Sequence, residues 1–106
     1  MIVEFESEML RNKLCGAAGP QGFYPALSRS ITNRISELRA AKSLGDIPTA
    51  PPPKLRLLSE AENKWAVALD EKHSLVLRAI HEPCDDHFNC STTSITSVCV
   101  LSISEN

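Results

Sequence analysis

Residues 64–80 read KWAVALDEKHSLVLRAI. Trp65, Val67 and Leu69 alternate with Ala66 and Ala68, and past the polar joint DEKH (70–73) Leu75, Leu77 and Ala79 alternate with Val76, Arg78 and Ile80. A period of two on both sides of a short polar joint is the pattern of an antiparallel hairpin with one face buried. Strands are therefore expected over 64–70 and 74–81.

Working outward, KLRLL (54–58) sets Leu55 and Leu57 against Lys54 and Arg56, and SEAEN (59–63) is short enough to fold that strand back on the next. ITSVCVLSI (95–103), rich in β-branched residues, reads as a last strand, and IVEFE (2–6) as a first one. Ser7 suits the N-cap of a helix to Cys15, with Met9, Leu10 and Leu14 on one side and Gly16 as its stop. GAAGPQGFYP (16–25) is a Gly/Pro-rich connection. A second helix follows, with Leu27, Ile31, Ile35, Leu38 and Ala41 at steps of three and four, Pro25 in its first turn and Gly45 at its end. Arg29, Arg34, Arg39 and Lys42 lie off that stripe, as a solvated face would. GDIPTAPPP (45–53) reads as a stiff, extended spacer. The order β-α-α-β-β-β-β describes an α+β fold, two N-terminal helices packed on a mostly antiparallel sheet, in a single domain over 1–106.

Apolar residues make up 42% and charged residues 23%, the balance of a folded soluble chain rather than a disordered one. No apolar run reaches the length of a membrane span, and MIVEFESEML carries acids where a secretory leader carries bases. The expected compartment is the cytoplasm, where Cys15, Cys84, Cys90 and Cys99 stay reduced. The net charge of −2 does not suit a broad duplex-binding surface. Residues 1–53 carry six bases against five acids and residues 54–106 five against eight, so any anion site must be a local cluster. A Gly-flanked serine elbow, a Cys-His-Asn signature and a phosphate-cradling glycine loop are all missing from the sequence. Cys99 falls in an apolar strand and reads as core filling.

Several motifs in fixed order resemble a known family. RAAKSL (39–44) ends the second helix, followed by Asp46-Ile47 and a proline-rich link, then KLRLL, then KWAVALD after a polar gap, then an apolar strand ending in HEP (81–83). This order resembles the RelE/HigB-like toxins of type II toxin-antitoxin systems, in particular the plasmid maintenance killer branch, over some two thirds of the chain. The resemblance implies a RelE-like fold and a ribosome-dependent mRNA endonuclease that works without metal or cofactor. It implies as partners a cognate antitoxin, in a toxin-antitoxin hetero-oligomer, together with ribosome and mRNA. In such chemistry a ribose 2′-hydroxyl attacks the adjacent phosphate, and cationic groups stabilise the charge that builds on its oxygens. The residues this assigns are Lys54, Arg56, Arg78 and His81 to catalysis, and Lys64, His73, Arg34 and Arg39 to RNA binding. The sequence also departs from the pattern. Ser74 stands where relatives carry arginine, Ala61 and Glu62 where they carry a basic residue, and Glu105-Asn106 where they carry a tyrosine-histidine pair. These departures leave open an alternative, a non-catalytic RelE-fold protein that binds a protein or RNA partner.

In HEPCDDHFNC (81–90), His81, Cys84, His87 and Cys90 recur every three residues. The residue types suit tetrahedral zinc, but known structural sites join two ligand pairs across a longer segment that lets the chain turn around the ion. The rhythm is therefore expected to be an exposed loop without metal. Elemental analysis of the purified protein should find no stoichiometric zinc; about one zinc per chain, lost when Cys84 and Cys90 are both changed to serine, would reverse this.

Overall fold

The computed structural model describes residues 1–15, 26–51, 53–80 and 95–105. The hairpin forms first in the logic of the fold. Strands β3 (Lys64–Ala68) and β4 (His73–Ile80) pair antiparallel with Trp65 opposite Leu77 and Val67 opposite Leu75. Asp70 closes the turn, its Oδ1 accepting from the backbone N–H of Lys72 at 2.8 Å and of His73 at 2.7 Å. An aspartate that satisfies the amides two and three residues on is the usual chemistry of such a turn.

Strand β5 (Ser97–Glu105) adds antiparallel to β4, and β1 (Ile2–Phe5) adds parallel to β5. Strand β2 (Arg56–Ser59) closes the other edge, giving the order β1-β5-β4-β3-β2. Val76 faces Ser102 while Leu77 faces Val100, so Leu101 is an extra residue and β5 bulges there.

Helices α1 (Glu8–Cys15) and α2 (Ser28–Ala40) account for the other layer. Ser7 caps α1, its Oγ accepting from the Leu10 N–H at 3.0 Å. The expected stop at Gly16, the connection 16–25 and the place of Pro25 lie outside the described residues. Leu27, Ile31, Ile35 and Leu38 are buried at the expected spacing. They meet Val67, Leu75, Leu77, Val98 and Val100 from the sheet in one hydrophobic core. Each of these side chains contributes about 1.5–3 kcal/mol by leaving water. Among the described residues no helix is long and apolar enough to cross a membrane.

Four expectations need correction. Helix α2 ends at Ala40, short of Gly45, because Ala41 turns extended and Leu44 is drawn into the core, its N–H bonded to Ile95 O at 2.8 Å. Gly45 lies instead in a short 3-10 turn, Leu44–Asp46. The segment after it is not a straight spacer: Leu55 N bonds Pro48 O at 3.0 Å and Lys54 N bonds Ala50 O at 3.1 Å, folding the chain back on itself. As a result β2 starts at Arg56, and Lys54 precedes it with φ 47, so the two do not share a strand face by simple alternation. Finally, Arg34 is not on a solvated face. It is 6% exposed, wedged between α2 and the end of β3. Its Nε donates to Ala68 O at 2.9 Å and its Nη1 to both Glu37 oxygens at 2.6 Å.

Arg34 therefore fastens the helix layer to the sheet, and its truncation leaves a backbone carbonyl at the end of β3 without its donor. Arg34→Ala should cost about 2 kcal/mol, the range for hydrogen bonds to charged groups. In thermal melts that appears as a Tm lower by about 10 °C, while Arg39→Ala, at an exposed position, should stay within about 2 °C of the parent. Equal melting temperatures for the two variants would contradict the pinning role.

Candidate functional site

The register divides the sheet into a face covered by the helices and a far face. Trp65, Val67, Leu75, Leu77, Val98 and Val100 share the covered side. On the far side one row runs Arg56, Ala66, Val76 and Ser102, and the next runs Lys64, Arg78, Cys99 and Glu4. Ala66, Val76 and Cys99 are buried and make a floor, with Arg56 and Arg78 exposed on it.

These basic residues fall into two groups. Lys64 and Arg78 are directly opposite each other on β3 and β4. Like charges so placed repel. Lys64 turns to Glu62, its Nζ 3.1 Å from Oε2, an exposed pair of little energetic weight. Arg56 lies two strands and two residues away from Arg78, about 12 Å between Cα positions from ordinary sheet spacings. Its guanidinium leans the other way, Nη2 donating to Ser74 Oγ at 3.4 Å.

That leaning carries Arg56 into a cavity of ≈ 440 Å³ at the turn end of the hairpin, lined among others by Arg34, Lys54, Ser74, Asp70 and Glu71. Arg34 reaches it from α2 and Lys54 from the folded-back segment before β2. Ala68 N bonds Pro53 O at 2.6 Å, which ties that segment to the sheet. Ser74, 2% exposed, forms the inner wall. Among the described residues no carboxylate pairs with Lys54 or Arg78.

The acids of the cavity have their own tasks. The N–H of Lys72 donates to Asp70 and is the chief reason its carboxyl lies below the usual carboxylate range; desolvation opposes it, and His73 adds to the lowering. His73 Nδ1 lies 3.0 Å from Asp70 Oδ1, so this imidazole is engaged in the turn. By strand parity His73 shares the side of Leu75 and Leu77, the side opposite to Ser74 and Arg78. Burial pushes the Cys99 thiol up, although Arg78 pulls in the opposite direction.

Among the candidates, then, Lys54, Arg56 and Arg34 come together, Lys64 and Arg78 form a second group, His73 stands apart, and Arg39 is exposed on α2 beside α1 and β1. His81 and the His/Cys rhythm of 81–90 lie outside the described residues, and among the described residues no cluster of His, Cys, Asp or Glu suits a metal ion. The part played by Ser74, Asp70 and Glu71 was missed. Ser74 had a signal, a lone polar residue opening an otherwise apolar strand, and Asp70 had another, an aspartate two and three residues ahead of amides in a tight turn.

No family model matches the sequence, and no curated protein matches it. A solved structure does: the YoeB/ParE toxin from Agrobacterium tumefaciens is similar over 100% of this chain and 99% of that one, with a TM-score of 0.57 at 13% sequence identity. At that identity the likeness is one of fold, and it extends from end to end. The chain shares the α+β fold of that protein, with two helices on one face of a five-stranded mixed sheet.

Proposed function

We propose that this protein is the toxin of a type II toxin-antitoxin pair, a ribosome-dependent endoribonuclease held inactive by a cognate antitoxin. The observation that carries the proposal is the end-to-end likeness in fold to a toxin. The two basic groups on and beside the far face give it chemical support. In the proposed reaction a ribose 2′-oxygen bonds to the adjacent phosphorus as the bond to the 5′-oxygen breaks, leaving a cyclic phosphate and a free 5′-hydroxyl. The 2′-hydroxyl proton passes to a base and the 5′-oxygen gains one from an acid. Arg78 would offset the charge gathering on the phosphoryl oxygens, a role in which fixed donors act strongly because little reorganisation is needed, while Arg56, which leans toward Ser74, would hold the backbone beside the cleaved bond. Lys54 and Lys64 would hold the flanking backbone, and His81 would move a proton. Arg39 would meet ribosomal RNA or the antitoxin rather than the cleaved strand.

A second reading has its own observation. Among the described residues the far face offers no imidazole, since His73 is engaged by Asp70 and belongs to the other side. A RelE-fold protein that binds RNA or a partner protein without cutting would look like this.

Inducing the protein alone should arrest growth and leave transcripts cut within codons on translating ribosomes, and co-expressing the antitoxin should restore both. Growth at the normal rate with abundant soluble protein and intact transcripts would favour the non-catalytic reading. Arg78→Ala should lower the cleavage rate about a hundredfold, and Arg56→Ala should lower it less, through weaker hold on the RNA backbone. Both side chains are exposed, so their melting temperatures should stay within about 2 °C of the parent. Full activity in both variants would remove these arginines from the chemistry.

A further inference from the structure

We propose that Glu4 is the general base of the cleavage, its carboxylate taking the proton of the attacking 2′-hydroxyl while Arg78 holds the adjacent phosphate across Cys99. The inference rests on the endonuclease reading above. It supplies a proton acceptor on a face whose described residues offer no imidazole.

The ladder brings the two groups into one row. Cys99 pairs with Glu4 on β1 and with Arg78 on β4, so all three project from the far face. Glu4 and Arg78 are exposed, whereas Cys99 between them is short and buried. The result is a trough with a cation on one wall and an anion on the other. Apart from its burial, the Cys99 thiol feels Arg78 in one direction and Glu6 and Glu4 in the other, so both walls act on one floor. Although opposite in charge, Glu4 and Arg78 form no ion pair with each other, and among the described residues neither has one elsewhere. Glu4 also borders the groove beside Arg11 and Arg39 at the sheet edge, and it pairs with neither.

The width of the trough decides what fits. Two strand spacings put the Cα atoms of Glu4 and Arg78 about 10 Å apart. An arginine–phosphate hydrogen bond, the phosphate itself, a 2′-oxygen at attack distance from phosphorus and a hydrogen bond to a carboxylate together span about 10 Å. A ribose 2′-hydroxyl next to a phosphate held by Arg78 therefore meets Glu4. Glu6 has the parity of Glu4, but it follows the end of β1 and lies beside the bulge of β5 rather than across from Arg78. Lys64, beyond Arg78 in the same row, turns to Glu62 and leaves the trough open.

In the step, the 2′-oxygen bonds to phosphorus as its proton passes to the Glu4 carboxylate. The bond from phosphorus to the 5′-oxygen breaks, and that oxygen takes a proton from a separate acid such as water. Glu4 then releases its proton to solvent, which readies it for another turnover. A base positioned in this way contributes a factor of roughly a hundred to ten thousand.

The test is single-turnover cleavage of messenger RNA on programmed ribosomes by the full-length protein. Glu4→Gln should lower the rate at saturating protein at least about a hundredfold, with the half-saturating concentration unchanged within about twofold. Glu4→Asp should keep an intermediate rate, and Glu8→Gln, exposed on α1, should match the parent. Glu4 is exposed, so its variants should melt within about 2 °C of the parent. A second RNA carries sulfur in place of the 5′-oxygen at the bond the parent cuts, a leaving group that departs without a proton. A base acts on the other oxygen, so Glu4→Gln should lose as much rate on this RNA as on the ordinary one. Suppression of the loss by sulfur would make Glu4 an acid and overturn the assignment. So would a change confined to the half-saturating concentration, or equal rates in Glu4→Gln and Glu8→Gln while the parent cleaves. A parent that does not cleave at all would remove the endonuclease reading and this inference together.

Discussion

The pairing register of β3 and β4, with Val67 opposite Leu75 and Trp65 opposite Leu77, is the constraint on which everything else in this protein depends. Side chains alternate along a strand, so a slip of one residue would exchange the two faces. Leu75 and Leu77, which have no exposed surface, would then point away from the helices, and Ser74 and Arg78 would enter the core. The hydrophobic side makes that exchange prohibitive, and Asp70 fixes the turn from which the register is counted. The chemistry of the far face is thus held in place by the packing of the covered face.

A consequence is that an acidic chain can still present organised positive charge. Its basic residues are not spread as a field. Lys64 and Arg78 are adjacent because the ladder sets them opposite each other, and Arg34, Lys54 and Arg56 gather because the middle of α2, the folded-back segment before β2 and the start of β2 line one cavity at the turn end of the hairpin. One of these, Arg34, serves the fold first, since its bonds to Ala68 O and Glu37 join the helix layer to the sheet. The fold and the site are therefore coupled at a single guanidinium.

The parts of the fold readable from the sequence were those with strong periodicity. The hairpin 64–80, the stripe Leu27, Ile31, Ile35 and Leu38, and the Ser7 cap all express local rules, and each has its counterpart in the structure. What stayed hidden depended on contacts distant in sequence. Arg34 sits among apolar positions at helical spacing, yet a charged residue there reads as exposed until the Ala68 carbonyl, thirty-four residues on, is seen to need it. The proline-rich link read as stiff, because nothing local announces the bonds from Leu55 to Pro48 and from Lys54 to Ala50 that fold it back. The candidate cations were named individually, but their division into two groups follows from the reach of Arg56 toward Ser74, a side-chain choice invisible in one dimension.

The most direct measurement is primer extension on a defined messenger RNA in a purified translation system to which the protein is added. The account predicts truncated products ending within the codon in the ribosomal A site, with a 5′-hydroxyl on the downstream fragment, and none when ribosomes are omitted. Full-length messenger RNA at stoichiometric protein, with translation proceeding at its ordinary rate, would contradict it.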